Sequence, residues 1–338
     1  MNTDLWVSER PGHSDPPVAV RPGALALGLD VGGTKLAAGL VTPAGKVRAF
    51  ATVPTAAADG PDRVVARLCR LAGRLLADTG VRRAELCGVG IGCCGPVNAH
   101  TGIVYDPPNL TGWRDIPLAG MVADAVGRPA WVENDATAAT VGEWRFGAGR
   151  GATDMVYLTI STGVGGGVVA GGTVLRGSSG NGGEPGHVVV VPGGRPCNCG
   201  SAGCLEAYVS GTAIADRARD RLAAGQPSTL RAVPVITAEV VAAEAGAGDR
   251  LAGEIWRETT DLLGSAVVGL VNLFEPEYVV LGGGVSRTGE QLLAPVRSKV
   301  RGSAMRPAAT TVDIRLATLG DRVGVVGAAA VAHARATT

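Results

Sequence analysis

The sequence predicts an α/β protein of two similar lobes with a cleft between them. Three observations support this fold class. A strand, a glycine-rich turn and a second strand occur twice, near residue 30 and near residue 163. Stretches with apolar residues at helical spacing follow both units, as in mixed α/β architectures. The length of 338 residues is long for one hydrophobic core and comfortable for two.

The first half opens with a predicted meander of antiparallel strands. The predicted strands are Ala24–Leu29, Ala37–Val41, Lys46–Val53, Cys87–Cys93 and the end of another at Trp131–Val132. Apolar residues recur at helical spacing over Arg63–Ala77, which predicts an amphipathic helix, and Ala136–Trp144 also fits a helix.

The second half repeats this order. The predicted strands are Met155–Ile160, Val168–Ala170 and Tyr278–Leu281, with Gly163–Gly167 interrupting the first two. The predicted helices are Ala202–Tyr208, Ile236–Ala245 and Leu251–Leu273. The glycine turns of both halves are expected to face the common cleft.

Composition and charge exclude several classes of partner. Lys and Arg total 31 against 30 acidic residues, so no global field draws the chain to nucleic acid or to an anionic membrane. No segment reaches the about 20 uninterrupted apolar residues that span a bilayer. Residues 1–23 contain several prolines and no apolar block, which predicts a disordered leader and no signal peptide. The seven cysteines are then expected to be thiols or metal ligands, and the protein is expected to be cytoplasmic.

Glycine turns point to a nucleotide. Backbone amides in such turns can approach a phosphate closely, and the Asp that ends the first strand can hold Mg2+ through water. A single turn of this kind is better explained as an ordinary hairpin, but a second and a third turn favour a nucleotide cleft. The chain has no Walker-type Gly-Lys-Ser/Thr run, and its glycines do not open a helix as a dinucleotide motif does. The candidate nucleotide residues are Asp30, Gly32, Gly33, Thr34, Lys35, Thr162, Gly163, Gly165, Gly166, Gly282, Gly283 and Gly284.

Four candidate metal ligands crowd one short segment. His187 is followed by Cys197, Cys199 and Cys204, a Cys3His set that suits a closed, tetrahedral, structural zinc site. Cys69, Cys87, Cys93 and Cys94 lie in apolar surroundings and are interpreted as core. Glu184 and Glu206 flank the ligands, so a bound zinc would fix two carboxylates as acceptors for a polyhydroxylated ligand.

Asp135 is the candidate general base. It lies between a predicted strand and a predicted helix, so this segment alone favours a plain N-cap. Phosphoryl transfer to a hydroxyl needs a group that accepts the proton, which a positioned Asp supplies. Asn134 beside it can bond hydroxyls, and Asn109, in a turn-rich loop, can meet the same ligand or serve only as a turn residue.

These motifs together resemble the ROK family (repressors, open reading frames, sugar kinases), and within it the bacterial glucokinases. The resemblance runs from about Leu25 to Ala330 and is most specific at Asp30–Lys35, Glu133–Ala136, Thr162–Gly167 and Glu184–Glu206.

The resemblance implies the actin/hexokinase-like (ribonuclease H-like) fold, ATP with Mg2+ as co-substrate, a structural Zn2+ and a homodimer or homotetramer. We expect a small lobe over residues 24–137 plus a C-terminal helix at about 322–336, and a large lobe with the zinc motif over 138–321. It further implies Asp135 as the base. The implied sugar contacts are Asn109, Asn134, Asp135, Glu184, His187 and Glu206.

The leading functional hypothesis is ATP-dependent phosphorylation of glucose to glucose 6-phosphate. Asn98, Thr137 and Pro185 differ from the residues usual in glucokinases, so another hexose is an alternative: N-acetylmannosamine, N-acetylglucosamine or fructose. Polyphosphate is the alternative phosphoryl donor. A sugar-responsive ROK regulator is a further alternative, but a helix-turn-helix domain needs roughly 60 residues ahead of the first strand. A non-catalytic sugar-binding protein conflicts with Asp135 and the two phosphate turns.

Overall fold

The computed structural model describes residues 23–178 and 180–336. Its strands are β1 (Leu25–Val31), β2 (Lys35–Val41), β3 (Val47–Pro54), β4 (Leu86–Cys93), β5 (Val97–Asn98), β6 (Ile103–Val104), β7 (Ala130–Asn134), β8 (Met155–Ile160), β9 (Val164–Ala170), β10 (Thr173–Val174), β11 (Tyr278–Gly282) and β12 (Asp313–Leu316). Its helices are α1 (Pro61–Thr79), α2 (Leu118–Val126), α3 (Asp135–Phe146), α4 (Glu206–Val209), α5 (Gly211–Ala223), α6 (Ala238–Gly246), α7 (Arg250–Phe274), α8 (Glu290–Ser303), α9 (Ala308–Thr311) and α10 (Val323–Ala336). Of the predicted leader, only Gly23 is among the described residues.

Two five-stranded sheets have the same topology. The strand order is β3-β2-β1-β4-β7 in the first sheet and β10-β9-β8-β11-β12 in the second. In each sheet the first three strands along the chain form an antiparallel meander, and two later strands add in parallel. The predicted α/β fold with a repeated strand–turn–strand unit is confirmed.

Each sheet has its own apolar core. Leu27 and Leu29 of β1 are fully buried with Leu68 of α1, in a cluster that also includes α2. Leu158 of β8 is buried with Leu263 of α7, in a cluster that extends over α5, α6 and α8. Burial of a leucine side chain stabilises the fold by about 1.5–3 kcal/mol, so both halves have the means to fold around their own sheet. None of the helices described between residues 23 and 336 is long and apolar enough to cross a bilayer.

Two helices, α3 and α10, connect the sheets. Helix α10 lies on β1 and β4, while α3 contacts β8, β9 and α10. The helices approach at two glycines: a methyl group on Gly142 would lie 3.0 Å from the Cα of Gly327. A methyl group on Gly327 would overlap the carbonyl of Ala138, so the contact depends on the missing side chains. The N-terminus of α3 is thereby held between the two sheets.

A buried glutamate joins the two chain segments that enter this region. Glu143, which is fully buried in α3, accepts hydrogen bonds from the backbone amides of Ala148 (2.8 Å), Thr318 (3.0 Å) and Leu319 (2.8 Å). The first of these amides follows α3, and the other two precede α10. Charge-assisted bonds of this kind are about twice as strong as neutral ones, so one carboxylate fixes both segments to α3.

Three local predictions differ from the structure. The predicted helix at Ala202–Tyr208 is wrong in extent, because only Glu206–Val209 is helical and Gly203 has a positive φ of 82°. The predicted break at Gly163–Gly167 is too long, because β9 already begins at Val164. Helices α2, α5, α8 and α9 and strands β5, β6, β10 and β12 have no counterpart among the predicted elements. The residue limits of the two lobes stay a prediction.

Candidate active site

Two carboxylates lie at the same end of the first sheet. Asp30 is in β1, Asp135 begins α3 directly after β7, and Gly92 of β4 lies between them. A Cβ placed on Gly92 would be 3.7 Å from the Cα of Asp135 and 3.9 Å from Oδ1 of Asp30. A methyl group at this position would be in van der Waals contact with both acidic residues.

The pKa values of both acids are raised. Burial, with a smaller contribution from the charge of Asp135, raises the pKa of Asp30 to about 6, and Lys35 partly offsets this. Burial also raises the pKa of Asp135, although hydrogen bonds from backbone amides oppose the shift. A carboxylate with a raised pKa is a better proton acceptor than an exposed one, as a general base requires.

Asn134 caps α3. Its Oδ1 accepts hydrogen bonds from the amides of Ala136 (2.9 Å) and Thr137 (3.0 Å), so the alternative interpretation of Asp135 as the N-cap is wrong. Asp135 accepts a bond from the Ala136 amide (2.8 Å) as well. The cap fixes the first turn of α3 and leaves Asp135 at its start. A sugar contact by Asn134 would have to come from its Nδ2, because Oδ1 is used in the cap.

The first glycine turn joins β1 to β2 beside Asn109. The Gly32 amide donates to the Lys35 carbonyl (3.1 Å), and both Thr34 and Lys35 are exposed. A Cβ on Gly33 would lie 2.8 Å from the Cβ of Asn109, so glycine is what allows the loop carrying Asn109 to approach.

Fully buried Thr55 supports this turn, and sequence reasoning missed it. Its hydroxyl donates to the Gly32 carbonyl (2.6 Å) and its amide to the Thr34 carbonyl (2.9 Å). The threonine comes directly after β3, and no local motif marks it.

The second turn is shorter than predicted. It comprises 161–163, where the Ser161 amide donates to the Gly163 carbonyl (2.8 Å) and Thr162 is exposed. Gly165 and Gly166 instead lie in β9 and pair with Thr159 and Leu158 of β8.

These two strand glycines have a packing role. A Cβ on Gly165 would lie 2.7 Å from that of Ala136, and one on Gly166 would lie 2.6 Å from Cγ of Pro185. They let β9 approach α3 and the segment that carries Glu184.

The third turn adjoins the second. Gly283 follows β11 with a φ of 85°, and a Cβ there would crowd the backbone of Ile160 at the end of β8. Gly282 ends β11, and Gly284 precedes a short 3-10 helix. The structure thus brings the second and third predicted turns together at the same end of the second sheet.

His187, Cys197, Cys199 and Cys204 form one cluster. Their ligand atoms all lie within 4.8 Å of one another, with 3.6 Å between Sγ of Cys197 and Nδ1 of His187 and 3.6 Å between Sγ of Cys199 and Sγ of Cys204. Tetrahedral zinc with about 2.3 Å bonds to sulfur separates its sulfurs by about 3.8 Å. The donor set and its spacing therefore fit zinc.

Two isolated β-bridges shape the segment that carries the cluster. They pair Val189 with Cys204 and Pro196 with Ala202, and the Cys197 amide donates to the Ser201 carbonyl (2.8 Å). These bridges also explain why residues ahead of Glu206 are not helical. Nδ1 of His187 faces the cluster, which leaves Nε2 as the nitrogen for any contact outside it.

Glu184, one of the predicted acidic sugar ligands, interacts electrostatically with Asp135. Burial raises the pKa of Glu184, His187 lowers it, and the charges of Asp135 and Glu206 raise it further. These four residues come from α3, the segment that carries the metal cluster and α4, and the charges of the other three act on Glu184, so the fold brings them to one region.

Comparison with known proteins assigns the family. The ROK family profile matches residues 26–335. This chain belongs to the ROK family. The predicted resemblance is therefore confirmed.

Curated ROK relatives include two kinds of sugar kinase. The glucokinases of Halalkalibacterium halodurans and Thermotoga maritima are 38% and 39% identical to this chain, over 89% and 91% of it and 92% and 97% of their own lengths. The N-acetylmannosamine kinase of Escherichia coli O157:H7 is 34% identical, over 91% of this chain and 98% of the enzyme. The predicted enzyme class, a sugar kinase, is confirmed.

Solved ROK structures share the fold. A ROK hexokinase from Thermus thermophilus has a TM-score of 0.78 at 36% identity and covers 93% of this chain and 99% of its own. A ROK glucokinase from Streptomyces griseus, in complex with glucose and AMPPNP, has a TM-score of 0.76 at 36% identity, with 92% and 99% coverage. A ROK transcriptional regulator has a TM-score of 0.81 at 29% identity, and 79% of its chain is covered. The actin/hexokinase-like architecture is thereby confirmed.

Proposed function

We propose that this chain transfers the γ-phosphoryl group of ATP to glucose and forms glucose 6-phosphate, with Asp135 as general base. The observation that carries the proposal is the position of Asp135. Its carboxylate has a raised pKa at the start of α3, and its charge acts on both Asp30 and Glu184. The glucokinases at 38% and 39% identity support glucose as the acceptor.

Proton transfer is the role of Asp135 in the reaction. The carboxylate accepts the proton of the 6-hydroxyl as that oxygen forms its bond to the γ-phosphorus, and the bond to the β,γ-bridging oxygen breaks to release ADP. The proton returns to solvent when the products leave. Because Asn134 caps α3, the carboxylate is positioned before the substrate arrives, so no reorganisation is needed during the reaction.

The residues around the metal cluster and the first turn bind the sugar. Asn109, next to Gly33, and Asn134 supply amides, while Glu184 and Glu206 supply carboxylates that bind pairs of hydroxyls. His187 would bind zinc through Nδ1 and offer Nε2 to the sugar. A zinc ion held by four protein ligands serves structure here, because it has no open position for catalysis.

The three turns are the sites for the nucleotide. Gly32–Lys35 and Thr162–Gly163 supply amides and hydroxyls to the phosphates, and Gly282–Gly284 offers flat backbone to the adenosine. Asp30 is the residue that would hold Mg2+, alongside water and phosphate oxygens. When bound, Mg2+ neutralises the charge that develops on the β- and γ-phosphate oxygens.

Substrate-panel kinetics test the proposal. ADP release is measured with glucose, fructose, N-acetylglucosamine and N-acetylmannosamine, using ATP and polyphosphate as donors, on protein of known zinc content. We expect glucose with ATP to give the highest kcat/KM. Absence of turnover with every hexose would overturn the assignment.

N-acetylmannosamine is the second candidate acceptor. A relative with that activity in its name is 34% identical over 91% of this chain, close to the identity of the glucokinases. A kcat/KM for N-acetylmannosamine above that for glucose would establish this alternative. Specific binding to an operator in a gel-shift experiment would instead favour a regulator. The homodimer or homotetramer and the cytoplasmic address stay predictions, which light scattering and cell fractionation can test.

A further inference from the structure

A cavity of about 170 Å³ lies at the end of α3 opposite Asp135. It is partly open to solvent and is bordered by the last turns of α3 and α10 and by the segment around β10. None of the proposed sugar or nucleotide residues lines it. Its place in the fold is therefore separate from the candidate active site.

Three arginines from three different elements line this cavity. Arg145 is in α3, Arg335 is in α10, and Arg176 follows β10. Thr173 adds a hydroxyl, and none of the described lining residues is acidic. The guanidinium of Arg145 stacks on Trp144 at 4.3 Å from the ring centroid, which holds it at the cavity.

Arg176 also connects the cavity to the candidate active site. Its Nε and Nη2 each lie 2.8 Å from Oε2 of Glu133, a β7 residue that is 1% exposed. Glu133 directly precedes the Asn134 cap and Asp135. A guanidinium has five N–H donors, so Arg176 retains donors for a second acceptor while it holds Glu133.

We propose that this cavity is a second ligand site, which binds a small anion of the phosphate class, either free phosphate or the phosphomonoester group of a metabolite. Guanidinium groups match the geometry of phosphate oxygens in two-pronged hydrogen bonds. The volume of about 170 Å³ admits a phosphate group with a few attached atoms. Arg145 and Arg335 add positive charge beyond the Arg176–Glu133 ion pair, which favours a dianion over a carboxylate.

The bound anion acts on the site through Arg176. An acceptor on the cavity side keeps the guanidinium in place and so keeps Glu133 paired across the two sheets. Because Glu133 and Asn134 are neighbours in β7, occupancy of the cavity and affinity for the sugar are coupled. Such coupling is reciprocal: the sugar changes phosphate affinity by the same factor as phosphate changes sugar affinity.

Calorimetry with inorganic phosphate tests the site. The titration is made at low ionic strength without sugar, with AMPPNP saturating the nucleotide turns so that phosphate cannot bind there. We expect one phosphate per chain and an affinity at least about tenfold weaker in the Arg145→Ala/Arg335→Ala double variant. Arg301→Ala, an exposed arginine in α8, is the control and should bind as the unaltered chain does.

The opposing explanation is that Arg145 and Arg335 only complement the negative ends of α3 and α10. In that case the double variant loses thermal stability but binds phosphate as the unaltered chain does, which would overturn the proposal. Arg176→Lys keeps the positive charge but cannot form two-pronged hydrogen bonds. We therefore expect weaker phosphate binding and a smaller effect of phosphate on glucose affinity. Equal glucose affinity with and without phosphate in the unaltered chain would refute the coupling. The phosphate titration uses neither sugar nor turnover, so it is independent of the proposed reaction, whereas the coupling rests on the proposed sugar site.

Discussion

The carboxylate of Glu206 accepts a hydrogen bond from the backbone amide of Val164 at 2.8 Å. The second oxygen of the same carboxylate lies 3.8 Å from Sγ of Cys197, in the candidate zinc cluster. Val164 directly follows the 161–163 turn, which is a candidate phosphate site. The metal cluster and the nucleotide turn are therefore connected through one side chain.

Replacing Glu206 should affect both substrates. In Glu206→Ala the Val164 amide loses a charge-assisted hydrogen bond, so we expect KM for ATP to rise about tenfold in addition to a rise in KM for the sugar. Glu184→Ala is the matched control, because no hydrogen bond of Glu184 to the turn is among the described contacts. It should raise KM for the sugar alone. Steady-state kinetics with each substrate varied give both values, and an unchanged KM for ATP in Glu206→Ala would contradict the connection.

Asp135→Asn should remove catalysis and keep binding. Asn has nearly the same shape but cannot accept the hydroxyl proton, so we expect kcat to fall by about 10²–10⁴. Calorimetry should find glucose affinity within about threefold of the unaltered chain. Burial raises the pKa of Asp135, so the acidic limb of the rate profile should lie at higher pH than an exposed Asp gives. Substantial remaining turnover would refute the assignment of Asp135 as base.

Asp30 should make the ligand-free protein less stable as pH rises. Its pKa is raised from 3.8 to about 6, so between these values the folded state binds the proton that the unfolded chain releases. The free energy of unfolding therefore falls as pH rises through this window, by up to about 3 kcal/mol. Asp30→Asn should be more stable than the unaltered chain at pH 8 by up to that amount, and the difference should shrink as pH falls and vanish below 3.8.

Urea denaturation without Mg2+ at pH 4.5 and pH 8 measures this difference. Asp124→Asn, an exposed position in α2, is the control and should show no pH-dependent difference. If Asp30→Asn and the unaltered chain have the same dependence on pH, the raised pKa is wrong.

Zinc should be bound at one ion per chain. Each cysteine of a closed Cys3His site contributes directly to the stability of the folded segment. We expect Cys199→Ser to lose the metal and to lower the thermal midpoint by several degrees, since the fixed positions of Glu184 and Glu206 depend on this segment. Metal analysis and thermal denaturation check this, with Cys69→Ser as the control. Full zinc occupancy in Cys199→Ser would exclude this ligand set.

The glycine contact between α3 and α10 should not tolerate a methyl group. In Gly327→Ala the new methyl overlaps the Ala138 carbonyl, so we expect a loss of about 1–3 kcal/mol in the free energy of unfolding. Gly73→Ala in α1 meets nothing within 4 Å and should stabilise the chain by up to about 1 kcal/mol, because alanine favours helix. Urea denaturation compares the two, and similar effects at both positions would contradict the close approach of the helices.

The elements that sequence predicts are those with unbroken apolar patterns. The meanders that begin with β1 and β8, and helices α1 and α7, all carry such patterns. Helix α5 was missed because Arg217 interrupts its apolar face, although it is buried and paired with Glu258. Helix α8 was missed because Pro295 lies inside it.

The residues of the candidate site likewise include some that sequence predicts and some that it does not. The zinc ligands and Asp135 can be predicted because each set is close in sequence or in a recognisable motif. Two other contacts cannot be predicted, because each joins segments that carry no local signal. They are the hydrogen bond of Thr55 to the first turn and the Arg176–Glu133 pair, whose residues are 43 positions apart. Gly165 and Gly166 are a further case, because spacing alone does not separate glycines in a turn from glycines in a strand.

Glu143 has a consequence for how the halves of the chain can move. The polypeptide leaves α3 past Ala148 and returns to α10 past Leu319, and the same carboxylate holds both amides. If these two connections were held by different residues, each sheet could twist and slide independently. With a common anchor, we expect any rotation of one sheet against the other to pivot near Glu143, two to three helical turns from Asp135.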